Sequence, residues 1–546
     1  MVGLDGGDRY VLGVDTGLTV TKAVVFDARG QAAGQGSTRS DHYSPRARWV
    51  EKDPEAEWEA AVSAIATAVA RSGVAPTRIA AVGVTGHGDG LYLLDQAGRP
   101  ARPAIPSLDT RPDAIVAQWQ ASGVADRVLE LSGEAPFPQH APAKLAWLRE
   151  HEPDSLDRAA HLLFAKDWVK FRLTGEICTD PTEASAGFTD VSGERYSRAV
   201  LDAYGLGDCF HLLPPVVAST QVIGTVRPAA AEATGLAPGT PVVSGLHDVD
   251  ASALGAGCLR AGQLTMVAGT YSVNEVLAAA PTVDARWLCR GWIHPGLWMH
   301  MSTSAASATN LEWFVRQLCP SECAAAGPDG SPFDLLTDEI AAADGHDGEL
   351  IYLPFLFGSP HGPLASAGFL GLRGWHRRGH LLRALMEGVV FNHRTHVDAL
   401  RSRLPVTEAR LAGGGSRSPW WSQLFADVLD LPVTVTDAAE TGTRGAAMCA
   451  GVAAGIYGSL AEAGEQAIRI ARVHTPSDGA RRDRLAHTYQ AYQLAVEALP
   501  PLWQALDRAA LARDRTASYP DPLPAEPVPL PADSVPQESR VGVAAG

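Results

Sequence analysis

The stretch Tyr10-Val-Leu-Gly-Val-Asp15-Thr-Gly-Leu-Thr-Val-Thr-Lys22-Ala-Val-Val-Phe26-Asp27 consists of two apolar runs around a short polar turn. β-Branched and aromatic residues on either side of a turn that contains Gly17 predict a β-hairpin. Such a turn points backbone N–H groups into a concavity that can hold phosphate oxygens. Asp15 is a candidate ligand for Mg²⁺, and Thr19 and Lys22 are candidates to contact phosphate. Taken alone, an Asp-x-Gly turn is more often a plain hairpin.

A second hairpin of the same kind opens the second half of the chain. Residues Gln263 to Leu277 again form two apolar runs, here around a Gly/Thr/Ser turn that begins at Gly269. Two similar hairpins, one in each half, predict a duplicated α/β architecture with a cleft between the copies. The length of 546 residues also favours two large domains, because it exceeds what one hydrophobic core usually serves.

Three glycines separate a predicted strand at 409–412 from a predicted helix at 419–429. The run Gly413-Gly414-Gly415 would let a ligand lie against the backbone, and the N-terminus of the following helix favours negative charge. Its spacing matches neither the dinucleotide fingerprint nor the P-loop, which disfavours those two nucleotide-binding folds. A structural turn and a ligand site remain equally good interpretations of the glycines alone.

The acidic stretch Gly245-Leu-His247-Asp248-Val-Asp250 follows a predicted strand at 241–244 and precedes a helix of small residues. Carboxylates at the carboxyl end of a strand lie where ligands bind in α/β sheets. Without further context, an Asp at the start of a helix is more often an N-cap. A metal cluster of His247, Asp248 and Asp250 is a weaker interpretation, because adjacent positions rarely converge on one ion.

Composition and charge exclude several classes of function. The formal net charge is −16, from 45 Lys and Arg against 61 Asp and Glu, which argues against a nucleic-acid or anionic-membrane partner. Residues 1–10 show no signal peptide, no apolar stretch is long enough to span a bilayer, and the seven cysteines are scattered. We therefore expect a cytoplasmic protein.

Residues 515–546, with seven prolines, predict a disordered tail. A longer helical region is predicted at 143–174.

The order of motifs over residues 10–495 resembles the FGGY family of carbohydrate kinases. The motifs that carry the resemblance are Asp15-Thr-Gly-x-Thr19, Trp49-Val-Glu-x-Asp53-Pro54, Gly86-His-Gly-Asp-Gly90, Asp109-x-Arg111, Lys144-Leu-Ala-Trp147, His247-Asp248, Gly269-Thr270, Gly413-Gly414 and Glu440 before Gly445-Ala-Ala447. Any one of these short motifs would carry little weight, whereas the ordered set is specific.

The resemblance implies an α/β fold of two ribonuclease-H-like domains, of the actin/hexokinase type, around a central cleft. Residues 9–256 would form the N-terminal domain, which binds sugar and carries the catalytic base. Residues 257–498 would form the C-terminal, nucleotide-binding domain. The family's cofactors are ATP and Mg²⁺. By analogy with such families we also expect a homodimer.

The resemblance also assigns roles to individual residues. Asp248 matches the general base that takes the proton from the attacking hydroxyl, and Asp15 matches the acid that positions Mg²⁺. The implied contacts with phosphate and nucleotide are Thr19, Lys22, Gly269, Thr270, Gly413, Gly414 and Ser418. The implied contacts with the substrate are Trp49, Asp89, Ser107 and Asp109, together with Asp248.

Within the family, the chain most resembles the L-xylulose kinase branch, with erythritol kinases second. Ser107 stands where many members have a Trp, and the absence of a side chain at Gly88 is expected to widen the sugar pocket. The predicted function is ATP-dependent phosphorylation of a ketopentose such as L-xylulose. Two alternatives remain, a tetritol or polyol kinase and a non-catalytic nucleotide-binding sensor on the same fold.

Overall fold

The computed structural model describes residues 9–327, 331–343, 349–437 and 440–514, so that the predicted tail at 515–546 lies outside the described residues. The strands are β1 (Tyr10–Thr16), β2 (Val20–Asp27), β3 (Ala32–Arg39), β4 (Ile79–Gly86), β5 (Tyr92–Leu94), β6 (His161–Leu163), β7 (Val222–Thr225), β8 (Pro241–Val243), β9 (Leu246–His247), β10 (Gln263–Ala268), β11 (Ser272–Ala278), β12 (Leu288–Gly291), β13 (Trp298–Ser304), β14 (Ile351–Leu353), β15 (Gly368–Leu370), β16 (Glu408–Ala412), β17 (Val433–Thr436) and β18 (Ile470–His474).

Helices cover both faces of the larger sheets. They are α1 (Pro54–Ser72), α2 (Asp113–Ala121), α3 (Val124–Ser132), α4 (Ala141–His151), α5 (Pro153–Asp157), α6 (Ala165–Thr174), α7 (Pro181–Ala184), α8 (Arg198–Ala203), α9 (Pro228–Thr234), α10 (Asp248–Ala256), α11 (Thr309–Leu318), α12 (Pro320–Ala326), α13 (Pro332–Ala342), α14 (Arg378–Arg401), α15 (Pro419–Leu429), α16 (Thr441–Ala453), α17 (Leu460–Ala467), α18 (Ala480–Ala498) and α19 (Pro500–Asp514). In the part of the chain that the structure describes, no helix is long and apolar enough to cross a bilayer.

Two large sheets share one local arrangement. In the first, with strand order β3-β2-β1-β4-β8-β7, β1 pairs antiparallel with β2 and parallel with β4. In the second, with strand order β12-β13-β11-β10-β16-β17-β18, β10 pairs antiparallel with β11 and parallel with β16. Each predicted hairpin is therefore the antiparallel start of a mixed sheet, and the predicted duplicated α/β architecture is confirmed.

The helical region predicted at 143–174 is wrong in part. The three-residue strand β6 interrupts it and pairs antiparallel with β5. Leu162 and Leu163 of β6 are apolar and buried, and so short a run carries no periodicity that distinguishes a strand from a buried helical turn.

Helix α16 joins the two halves, although it comes from the second half of the chain. It packs against α10 and against strands β1 and β4 of the first sheet. A Cβ atom placed on Gly13 would lie 1.9 Å from the carbonyl oxygen of Thr443, and one on Gly83 would lie 2.0 Å from that of Ala446. The helix backbone thus rests directly on the sheet backbone, a contact that only glycine permits. A buried apolar cluster with residues from both halves surrounds this contact.

We predict that Gly13→Ala destabilises the protein, because its methyl group must displace the backbone of α16. Overpacking of this kind lowers the free energy of unfolding by about 1–3 kcal/mol. Gly374→Ala is the matched control, because the exposed Gly374 has no atom within 4 Å of an added Cβ. Denaturant unfolding measures both variants, and equal stability of the two would contradict the close packing of α16 on β1.

Candidate active site

The turn between β1 and β2 is held by hydrogen bonds from a buried lysine. Lys52 is fully buried, and its Nζ donates to the carbonyl oxygens of Gly17 (3.4 Å) and Leu18 (3.3 Å). Its charge is balanced by Glu57, 3.3 Å away. Thr19, at the tip of the turn, is exposed. Lys52 was not predicted as a site residue, and it fixes the shape of the turn that carries the predicted phosphate contacts.

Asp15 lies half-buried at the end of β1, directly across the hairpin from Lys22. Lys22 is already paired, because its Nζ lies 2.7 Å from Oε2 of Glu440. Burial, together with the negative charges of Asp248 and Glu440, raises the pKa of Asp15 to about 7, although Lys22 opposes the shift. The structure therefore brings Asp15 close to Asp248, as the predicted site requires, and leaves this corner with excess negative charge.

Asp248 and His247 come from a strand end next to β4. Strand β9 pairs in parallel with the end of β4, so that His247 lies opposite Gly86, and Asp248 opens α10. Oδ1 of Asp248 accepts from the backbone N–H of Val249 (2.8 Å) and lies 3.2 Å from Nε2 of His247. The Asp248 side chain remains 35% exposed, so this carboxylate is accessible to a substrate.

His247 is an internal cation rather than a metal ligand. Burial alone would lower its pKa, but Asp250 at 3.4 Å, Glu183 and Asp248 together raise the pKa of His247 to about 10. Burial raises the pKa of Asp248, whereas the positive charge of His247 lowers it. The weaker sequence interpretation, a metal cluster, finds no support, since no group of three or more His, Cys, Asp or Glu among the described residues could hold a metal ion.

The expectation that Gly88 widens the sugar pocket is wrong. A Cβ atom on Gly88 would lie 1.8 Å from Nε2 of His247, so the missing side chain makes room for the imidazole. The next residue, Asp89, has a left-handed backbone (φ 57°), which Asp tolerates better than most residues. Lys144 supports this conformation, because its Nζ donates to the carbonyl oxygens of Asp89 and Gln139, both at 2.6 Å.

The side chain of Asp89 lies beside an arginine and a histidine that the sequence analysis missed. Oδ2 lies 3.6 Å from Nη2 of Arg290, and Oδ1 lies 3.8 Å from Nε2 of His140. Burial would raise the pKa of Asp89, but Arg290, His140, His247 and Lys144 together lower it. Asp89 is therefore an ionised acceptor. No motif marks Arg290 or His140, since each reaches the site only through the fold.

Trp49 and Asp109 form one packed unit. Arg111 places its guanidinium 4.2 Å from the centre of the Trp49 ring, and Trp147 meets the same ring edge-on at 5.0 Å. Asp109 is fully buried and accepts from the backbone N–H of Val50 (2.6 Å) and from Nε of Arg111 (2.9 Å). Asp109 thus holds the backbone next to Trp49 and the Arg111 side chain that packs on its ring. Ser107 is half-buried on the same segment.

The second sheet presents the predicted nucleotide residues at adjacent strand ends. Gly269 and Thr270 lie in the β10–β11 turn, and Gly413 follows β16, the parallel neighbour of β10. Gly413 has a left-handed φ of 81°, and Gly414 is exposed, with no atom within 4 Å of an added Cβ. The space beside Gly414 can admit a ligand to the backbone. Ser418 caps α15, its Oγ accepting from the N–H of Trp421 at 3.2 Å.

The acidic corner at Asp15 fits a hard divalent cation. The negative charges of Asp248 and Glu440 and the positive charge of Lys22 all act on Asp15. Carboxylate oxygens are the protein ligands that Mg²⁺ prefers, and Mg²⁺ usually takes only one or two of them and completes its shell with water and phosphate. This donor set suits a metal that arrives with a phosphate-bearing ligand.

Known proteins share both the motifs and the fold. Residues 10–255 match the N-terminal domain of the FGGY family of carbohydrate kinases, and residues 264–454 match its C-terminal domain. The chain is 33% identical over 500 residues to the L-xylulose/3-keto-L-gulonate kinase of Escherichia coli, covering 90% of this chain and 97% of that protein. It is 29% identical over 477 residues to the xylulose kinase of Bacillus subtilis, covering 86% and 93%.

A solved structure supports the same assignment. The xylulose kinase from Rhodospirillum rubrum superposes with a TM-score of 0.79 at 29% identity, covering 91% of this chain and 100% of that one. This shared architecture confirms the predicted two-domain fold of the actin/hexokinase type. The chain belongs to the FGGY family of carbohydrate kinases, and it is a sugar kinase, an enzyme that transfers a phosphoryl group.

Proposed function

We propose that this kinase transfers the γ-phosphoryl group of ATP to a hydroxyl of a ketopentose such as L-xylulose, with Asp248 as the general base. The observation that carries the proposal is the position of the accessible Asp248 carboxylate. It is within electrostatic reach of both Asp15 and Asp89. A base close to a metal-binding acid and to a sugar-binding acid is what phosphoryl transfer to a sugar needs.

The proposed base has a cationic neighbour. His247 lies 3.2 Å from Asp248 and opposes the rise in its pKa that burial causes. Asp248 also opens α10, where the helix dipole favours negative charge. The carboxylate can therefore accept the proton of a sugar hydroxyl as that hydroxyl attacks phosphorus.

The donor nucleotide would lie against the glycine turns of the second sheet. We propose that Gly269, Thr270, Gly413 and Gly414 line it and that Ser418 acts through the start of α15. Thr19 and Lys22 would contact its phosphates, and Asp15 would hold Mg²⁺. Bound Mg²⁺ supplies neutralisation of the charge on the transferring phosphoryl group. Closure of the proposed domains, 9–256 and 257–498, would exclude water that competes with the sugar.

The ketopentose would bind beside Asp89, whose carboxylate offers two acceptors for vicinal hydroxyls. Trp49 and Ser107 would border it, with Asp109 holding Trp49 in place. The choice of a ketopentose rests on the activities of the similar proteins, which are an L-xylulose/3-keto-L-gulonate kinase and two xylulose kinases. The net charge of −16 and the seven free cysteines support a cytoplasmic enzyme that acts on a free sugar without a nucleic-acid or membrane partner.

We predict that Asp248→Asn lowers kcat with the ketopentose by about 10²–10⁴-fold, the usual contribution of a positioned general base. The KM for ATP should change little, because Asp248 does not contact the nucleotide in this proposal. Asp208→Asn is the matched control, since Asp208 is an exposed aspartate away from the site. An ADP-release assay measures both variants, and an unchanged kcat in Asp248→Asn would rule out Asp248 as the base.

The acid limb of the pH profile should depend on His247. Asp248 works only when deprotonated, so kcat/KM rises with pH through the pKa of Asp248 in the free enzyme. His247→Gln removes a cation that lowers this pKa, so the acid limb should move to higher pH. Kinetics from pH 4 to 8 measure the shift, and a limb that stays in place or moves to lower pH would contradict the pairing.

A substrate panel tests the proposed sugar class. We expect L-xylulose or another ketopentose to give a higher kcat/KM than erythritol, pentitols or 3-keto-L-gulonate. A higher value for a tetritol would replace the ketopentose proposal with a polyol kinase. ADP release that no sugar stimulates, and that is the same in Asp248→Asn, would indicate a nucleotide-binding sensor instead.

A further inference from the structure

The edge of the second sheet reaches across to the first half of the chain. The backbone N–H of Cys289, on β12, donates to the carbonyl oxygen of Gly133 at 3.0 Å. On β13, the indole Nε1 of Trp298 donates to the carbonyl oxygen of Val191 at 2.8 Å. These hydrogen bonds fix the β12–β13 hairpin against the half of the chain that carries Asp89.

Arg290 extends from this hairpin into the site. Its side chain is fully buried, and its Nε donates to Oε1 of Glu134. Its Nη2 lies 3.6 Å from Oδ2 of Asp89, and its Nη1 lies 3.5 Å from Nδ1 of His247. The guanidinium of Arg290, which comes from the second sheet, therefore lies next to Asp89, the proposed sugar-binding residue. It also lies next to His247, the neighbour of the proposed base.

The charge of Arg290 is already balanced. Glu134 is fully buried, and its second oxygen, Oε2, lies 3.0 Å from Nε2 of His140. A buried guanidinium needs anions close by, and Glu134 and Asp89 supply them. This arrangement disfavours direct binding of a substrate carboxylate by Arg290, because such a group would have to compete with Glu134.

The two oxygens of Asp89 have different surroundings. Oδ2 faces Arg290, whereas Oδ1 is buried and has no hydrogen-bond partner among the residues that the structure describes. The Asp89 side chain is 13% exposed, and Oδ1 is closed off from solvent, so this exposure lies on the side of Oδ2. Oδ2 is therefore the oxygen available to a sugar.

We infer that Arg290 is a positioning residue for sugar binding: from its buried place beside Asp89 it holds that carboxylate in the orientation that leaves Oδ2 open to the sugar hydroxyl, and it does not contact the substrate itself. The inference rests on the proposed function, in which Asp89 binds the sugar. It makes the second sheet, through β12, a determinant of sugar affinity as well as the proposed carrier of the nucleotide.

Steady-state kinetics of the full chain, with ketopentose and ATP varied separately, test this role. Arg290→Met should raise the KM for the sugar by about tenfold or more, because the Asp89 carboxylate loses the buried cation beside it. The KM for ATP should stay within about twofold, because the nucleotide turns lie on other strands. Arg290→Lys should recover part of the sugar affinity. Arg286→Met is the matched control, since the half-exposed Arg286 is paired with Asp284.

A double-mutant cycle separates positioning from a general structural effect. With Asp89→Asn already present, Arg290→Met should add little to the sugar KM, because both changes remove the same interaction. Glu134→Gln provides a second variant should Arg290→Met fail to fold. It should raise the sugar KM without changing the KM for ATP, since Arg290 then draws Asp89 away from the sugar.

Several results would overturn the inference. The first is an unchanged sugar KM in Arg290→Met, and the second is an additive effect of Arg290→Met and Asp89→Asn on the sugar KM. The third is a parallel rise of both KM values in Arg290→Met with a lowered thermal midpoint. The fourth is that Arg290→Met loses activity toward sugar acids alone. The last result would show that Arg290 binds a substrate carboxylate. Failure of the proposed function is distinguishable, because the wild-type enzyme itself would then show no ketopentose-dependent ADP release.

Discussion

The direct contact between helix α16 and the first sheet is the constraint on which the site depends. Glycines at Gly13 and Gly83 let the helix backbone approach the strands closely. The start of the helix is thereby brought to the end of β1, where Glu440 pairs with Lys22 and where a Cβ on Gly442 would lie 2.8 Å from Oδ2 of Asp15. The acidic corner is thus built from both halves of the chain, and its composition follows from backbone packing.

The burial of several carboxylates determines where the rest of the site needs positive charge. Asp15 and Asp248 are both driven toward the neutral form by burial, and Asp15 receives only the shared charge of Lys22. Asp248 has His247 beside it, and Asp89 has Arg290. The chain therefore places one of its own cations beside each of these two acids. Asp15, the acid with the least compensation, is the one that we propose meets a metal ion.

Much of the architecture could be predicted because its signals are local. The two hairpins, the glycine run after β16 and the start of α10 each follow from a few adjacent residues, and their order identifies the family. Strand β6 could not be predicted, since its three residues form a strand only because β5 lies beside them. The role of Gly88 was misjudged for the same kind of reason, because the space it leaves is filled by His247 from a distant part of the chain.

The candidate site likewise combines residues that local sequence motifs predict with residues that only long-range contacts bring in. Asp15, Asp89 and Asp248 lie within the sequence motifs, and the structure brings Asp248 within electrostatic reach of the other two. Arg290 and His140, which lie beside Asp89, belong to no sequence motif and reach the site only through long-range folding. The most direct measurement is a crystal structure with a ketopentose and a non-hydrolysable ATP analogue. We expect one sugar hydroxyl about 2.6–3.2 Å from the carboxylate of Asp248 and in line with the γ-phosphate. A sugar bound with every hydroxyl beyond hydrogen-bond reach of Asp248 would contradict the assignment of this residue as the base.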